Sequence, residues 1–103
     1  MHANPQKAPT FRVHELRREG GRWLKEKREQ ANLSQRQLAA KVGAEYYTLI
    51  SQLETGRGRV ASDQYLIWAD ALGVPHEEFV RAMLRYYDPV TYDILFSDRA
   101  TTS

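Results

Sequence analysis

The sequence contains no cysteine, which excludes a disulfide framework and any thiolate metal site and gives no sign of an oxidising compartment. His2, His14 and His76 are scattered, without the two-His-plus-carboxylate spacing of zinc or iron sites, so no metal is expected. There is no GxxxxGK phosphate loop, and Gly56-Arg57-Gly58-Arg59 is too short and too basic to cradle a nucleotide. Met1 to Thr10 lack the apolar run of a signal peptide, and no stretch approaches the roughly 20 apolar residues of a membrane span. A soluble, cytoplasmic protein with no membrane partner is the expectation. At 103 residues the chain suits one small domain, and a helical bundle of that size offers little pocket for catalysis. No nucleophile, base and acid are spaced as an active site needs, so neither enzymatic activity nor a cofactor is expected.

What is present is unevenly charged. The net charge of +2 hides twelve Lys/Arg against six Asp/Glu in residues 1–60, and three against seven in residues 61–103. A basic half of +6 beside an acidic half of −4 is an electrostatic footprint suited to phosphates.

Pro5 and Pro9 lie among small and polar residues, so residues 1–12 read as a flexible arm. Val13 to Ala31 favour helix, with Gly20-Gly21 expected to weaken or bend it and Arg22 to Ala31 its secure part. Leu24, Arg28 and Ala31 share a face, which sets an arginine where an apolar residue belongs. Asn32 ends this helix, Leu33 plugs the core, and Ser34 with Gln37 makes a capping box for a second helix that turns Leu38, Ala39 and Val42 inward. Gly43 suits a left-handed turn. After it, Tyr46, Ile50 and Leu53 repeat at helical spacing toward the core, while Thr48, Ser51 and Gln52 point outward.

Thr55 to Arg59 should stop this third helix in a flexible basic loop. Ser62 or Asp63 is expected to cap a fourth helix to Leu72 with Leu66, Ala69 and Leu72 buried, stopped by Gly73 and Val74-Pro75. A fifth, His76 to Tyr87, carries Glu77-Glu78 in its first turn and a broad apolar face of Phe79, Val80, Met83, Leu84 and Tyr87. In the tail, Asp88-Pro89 is a good helix start while Val90, Tyr92, Ile94 and Phe96 alternate as in a strand; a short helix is preferred.

Leu33-Ser34-Gln35, Leu38-Ala39, Val42-Gly43, Ile50-Ser51-Gln52-Leu53-Glu54, Gly56 and Ala69-Asp70-Ala71-Leu72-Gly73-Val74, taken in order, resemble the Cro, lambda-repressor and Xre-like helix-turn-helix proteins. The likeness spans roughly Arg22 to Val74. It implies an all-α bundle of about five helices whose third helix enters the major groove. The domain is expected over residues 13–87, and the apolar excess of Tyr86, Tyr87, Tyr92, Ile94, Leu95 and Phe96 makes residues 88–103 a C-terminal extension that either completes the core or, as a candidate dimerisation element, meets a second copy. Between Leu38-Ala39 and Glu54 this chain has one residue more than the family's usual pattern, placed most simply around Ala44-Glu45.

The family's base-facing positions fall on Tyr47, Thr48, Ser51 and Gln52. Gln52 can pair bidentately with adenine, Thr48 can touch a thymine methyl, and Tyr47 can offer its ring or hydroxyl, although internal packing serves Tyr47 equally well. Tyr46 is expected to pack inside. Gln35 falls on a position resembling a family phosphate contact, Arg57 and Arg59 would clamp the backbone, and Arg28 and Glu54 stand where the family often has a structural ion pair. Lys7, Arg12, Arg17 and Arg18 are candidates for added phosphate or minor-groove contacts.

The resemblance implies a sequence-specific transcriptional regulator of double-stranded DNA, working as a homodimer on an inverted repeat and associated with the nucleoid. The alternative is an antitoxin-like interaction module that neutralises a protein partner and regulates its own promoter; a toxin or RNA polymerase is the partner to consider. A helix-turn-helix fold kept only for assembly is a third reading, opposed by the retention of Gln35, Gln52, Arg57 and Arg59.

Overall fold

Helix α1 spans Thr10–Gln30 and passes unbroken through Gly20-Gly21. The structure, a computed structural model, describes residues 10–96. Most of the expected arm lies outside them, and its last three residues are already helical. The glycine pair does not weaken the helix as expected, because it serves close approach. A Cβ on Gly21 would sit 2.7 Å from the Leu53 carbonyl oxygen, and one on Gly20 would sit 2.9 Å from Tyr86 Cβ. Each glycine costs the helix about 0.5–1 kcal/mol relative to alanine, and here the missing side chain is what lets neighbouring helices touch α1.

Asn32, at φ +61, ends the first helical segment. Helix α2 (Gln35–Val42) starts with the expected capping box: the Gln37 amide donates to Ser34 Oγ, and the Ser34 amide donates back to Gln37 Oε1. Leu38, Ala39 and Val42 are buried on its inner face. Gly43, at φ +74, accepts the left-handed conformation that a side chain would resist, and the Ala44 amide closes onto the Ala39 carbonyl.

Helix α3 runs only from Thr48–Glu54 and buries Ile50, Leu53 and Glu54. Tyr46 therefore lies in the turn before the helix and is 66% exposed, contrary to the expectation that it packs inside. Helical spacing counted back from Ile50 carries no information once the helix has ended.

A short 3-10 turn, Ser62–Gln64, leads into α4 (Tyr65–Leu72), and neither Ser62 nor Asp63 caps α4 with its side chain. Leu66 is exposed rather than buried; the inner face is Tyr65, Trp68, Ala69 and Leu72. At about 100° per residue these four share one arc, whereas Leu66 points roughly 100° away from Tyr65. Trp68 takes the place expected for Leu66.

Helix α5 (His76–Tyr87) buries Phe79 and Met83, and α6 (Pro89–Phe96) lies on α5. The tail is thus helical, as preferred. The Thr91 amide and hydroxyl both donate to the Asp88 carboxylate (3.2 and 2.7 Å), with Pro89 at the first helical position.

The core is one cluster. Leu24, Leu38, Ile50, Phe79 and Met83 are fully enclosed, and the Phe79 ring meets Trp23 at 5.7 Å and Tyr65 edge-on at 5.9 Å. Helix α1 backs α3 and α5, while α2 backs α3 and α4. The result is an all-α helix-turn-helix bundle extended by α6. No helix among the described residues is long and apolar enough to cross a membrane.

Candidate nucleic-acid interface

The inner face of α3 is fixed before its outer face can do anything. Ile50 and Leu53 are in the core, and Glu54 is buried against Arg28 of α1, with Nε to Oε2 at 2.6 Å and Nη2 to Oε1 at 3.2 Å. Arg28 Nη1 also donates to the Leu33 carbonyl at 2.8 Å. Hydrogen bonding to Glu54 holds the Arg28 guanidinium above its ordinary, already high pKa, against the opposing effect of burial, so it is cationic at every physiological pH. The pair ties α1, the segment before α2 and α3 into one unit.

With that face locked, Thr48 and Gln52 are exposed and Ser51 is half-buried on the other side of α3. Tyr47 is 40% exposed, and its ring lies under the Arg36 guanidinium at 4.2 Å. It neither packs inside nor stands free, because it joins the surfaces of α2 and α3. Arg57 is exposed, and its backbone amide donates to the Gln52 carbonyl at 2.8 Å, which sets the basic loop against the last turn of α3.

Gln35 is partly buried, and its Nε2 donates to Glu54 Oε1 at 3.1 Å. One of the two N–H groups of that amide is therefore committed inward, which leaves the amide a second donor. The backbone N–H groups of Gln35 and Arg36 open α2, beyond the reach of intrahelical acceptors. Arg59 is not gathered with the α3 row. Its guanidinium stands over the Tyr87 ring at 5.3 Å.

Arg36 belongs with this surface, although sequence reasoning did not single it out. A signal was available: it is a cation in the first turn of α2, where the helix dipole disfavours one and no acidic residue is present. Among the described residues, no ion pair involves Arg36, Lys41, Arg57 or Arg59. Of the two acids between Ser34 and Val60, Glu54 is neutralised by Arg28 and only Glu45 is exposed. The surface is therefore a polar row edged by unneutralised arginines. It has no gathered set of three or more His, Asp or Glu side chains that could hold a metal, as far as the described residues go.

Two short helices set by a capping box and a left-handed glycine, the second showing a polar row to solvent, define a DNA-binding helix-turn-helix protein. The Cro/C1-type helix-turn-helix family model matches residues 24–79, more than half of the chain, and the chain belongs to that family. A comparison with curated proteins finds no match. The matched segment opens inside α1 and closes inside α5, so residues 10–23 of α1, residues 80–87 of α5 and all of α6 lie outside it.

Proposed function

We propose that this DNA-binding regulator is sequence-specific: α3 lies in the major groove, Thr48, Ser51 and Gln52 read base edges, and Tyr47 lines the entry. Gln35, Arg36 and Arg57 hold phosphates beside the row, and Arg59, set apart on the Tyr87 ring, holds one further along the backbone. The observation that carries this reading is the exposure of Thr48 and Gln52 on a helix whose opposite face is anchored by Ile50, Leu53 and the Arg28–Glu54 pair. A side-chain row can discriminate bases only if its helix cannot roll, and this helix is held at three points.

Selection of duplexes from a random pool, followed by titration of the enriched sequence, tests it. Gln52→Ala should change the preferred base at one position of the site, by a factor corresponding to about 1–3 kcal/mol. Equal loss on the enriched and on random duplexes would reduce Gln52 to a backbone contact.

The protein acts as a homodimer on an inverted repeat, with the nucleoid in the cytoplasm as its place of work. Val90, Ile94 and Leu95 support this, being 46%, 62% and 60% exposed on α6. Such an apolar surface suits a twofold contact, and a second reading helix supplies affinity that one cannot. Light scattering should give a dimer mass that Ile94→Asp reduces to a monomer. The same exposed face favours the antitoxin-like reading, in which a different protein covers α6; a monomer mass for the isolated protein would favour that reading over the homodimer.

A further inference from the structure

Two basic elements meet at the edge of the family segment. Arg17 and Arg18 lie in the part of α1 that precedes it, and the Thr55–Arg59 loop leaves the end of α3. They touch at Gly56. Its φ is +83, and a Cβ there would lie 2.9 Å from the Arg18 backbone nitrogen and 3.1 Å from the Arg17 carbonyl carbon, so the loop can rest on α1 only because this residue is glycine.

The loop is fastened on both sides of that point. The Arg57 amide donates to the Gln52 carbonyl at 2.8 Å, and the Val60 amide donates to the Tyr87 hydroxyl at 3.2 Å. Over the same Tyr87 ring stand two guanidinium groups, Arg17 at 5.6 Å and Arg59 at 5.3 Å. The ring attracts both, and two cations held near one ring raise the local positive potential and favour an anion beside them.

No ion pair within the described residues holds three of these four arginines, Arg17, Arg57 and Arg59. Asp88 lies near enough to feel the charge of Arg59 but forms no ion pair with it, so it offsets that charge only in part. Arg18 meets Glu15 at 3.9 Å with both side chains about half exposed, an ion pair weak enough for a phosphate to displace. A continuous path of contact leads from Gln52 through Arg57 and Gly56 to Arg17 and Arg18.

We propose that Arg17 and Arg18 join Arg57 and Arg59 in a phosphate clamp that grips the duplex DNA backbone beyond the bases read by α3, using a part of α1 that the family segment does not include. The ligand is a run of phosphodiester groups, which guanidinium forks match in shape and charge. This clamp rests on the DNA-reading role proposed above.

The test is a set of titrations of the wild-type protein, Arg17→Gln/Arg18→Gln and Arg17→Lys/Arg18→Lys, over a series of salt concentrations, on a duplex enriched by the wild-type protein. Each phosphate contact contributes about 0.9 to the slope of log affinity against log salt. The glutamine pair should flatten the slope by about two while the preferred bases stay the same, and the lysine pair should restore it. A wild-type slope in the glutamine pair overturns the clamp and leaves the reading role standing. Binding of the wild-type protein to neither enriched nor random duplex overturns both. Should the glutamine pair lose its helical circular dichroism, Arg18→Gln alone decides: a slope flatter by about one supports the clamp, and an unchanged slope removes it.

Discussion

Arg28 and Glu54 are 26 positions apart in sequence and meet at 2.6 Å, Nε to Oε2, in a place where every buried side-chain nitrogen and oxygen among the described residues has a partner. The pair is costly to half-remove. Arg28→Ala strands the Glu54 carboxylate and should lower stability by about 3–5 kcal/mol, whereas Arg28→Met/Glu54→Met should lose much less, because no unpaired charge remains inside. Urea denaturation of both variants checks this, and a double variant as unstable as the single one would contradict it.

Gly21→Ala sets propensity against packing. In an open helix, alanine would add about 1 kcal/mol. At this position the new Cβ would fall 2.7 Å from the Leu53 carbonyl oxygen and 2.6 Å from the Glu54 carbonyl carbon, so α3 must move off α1. Thermal melts should show a loss of stability; a gain would mean that the two helices are not in contact here.

Tyr87→Phe should loosen the basic loop. Burial pushes the Tyr87 hydroxyl above its ordinary pKa, and the Val60 amide donates to it. Val60 is itself only 2% exposed. Without the hydroxyl that amide is left unpaired, at a cost of about 1–3 kcal/mol, and hydrogen exchange at Val60 should accelerate while that of Leu38 in the core changes less. Equal protection at Val60 in both proteins would show that the bond holds nothing.

Asp88 gives the fold an acid-sensitive point. Its hydrogen bonds from Thr91 hold the carboxyl below its ordinary value of 3.8. A group with a depressed folded-state pKa stabilises the fold fully above its unfolded value and loses that contribution as pH falls through the folded value. Asp88→Asn should therefore be less stable than the wild type near neutrality, with the gap closing below about pH 3.8. Asp88→Ala, which removes the cap of α6 altogether, should cost about 1 kcal/mol. Melts across that pH range decide, and a constant gap would locate the effect elsewhere.

Much of the helix-turn-helix was legible because its signals are local. Ser34 with Gln37, Gly43, the apolar face of α2 and the inward Ile50 and Leu53 of α3 each follow from a few neighbouring residues, and these appear where expected. The misreadings come from tertiary demands. Gly20-Gly21 looks like a weak point until α3 and Tyr86 are placed against it. Tyr46 fits a spacing that extends past the start of α3, and Leu66 gives way to Trp68 once α4 is rotated by its neighbours. The outward row of α3 was readable from periodicity. The engagement of Gln35 by Glu54, of Tyr47 by Arg36 and of Arg59 by Tyr87 was not, since each depends on contacts made across elements.

The Gln35 amide is shared between the surface and the interior, donating one hydrogen to the same Glu54 oxygen that Arg28 Nη2 binds. Folding and the DNA contact proposed for Gln35 consequently have a common hinge pin. A library screened only for retained folding should tolerate joint apolar replacement of Arg28 and Glu54 and, in doing so, release Gln35 to swing, so that its survivors would be folded proteins with a weakened grip on DNA.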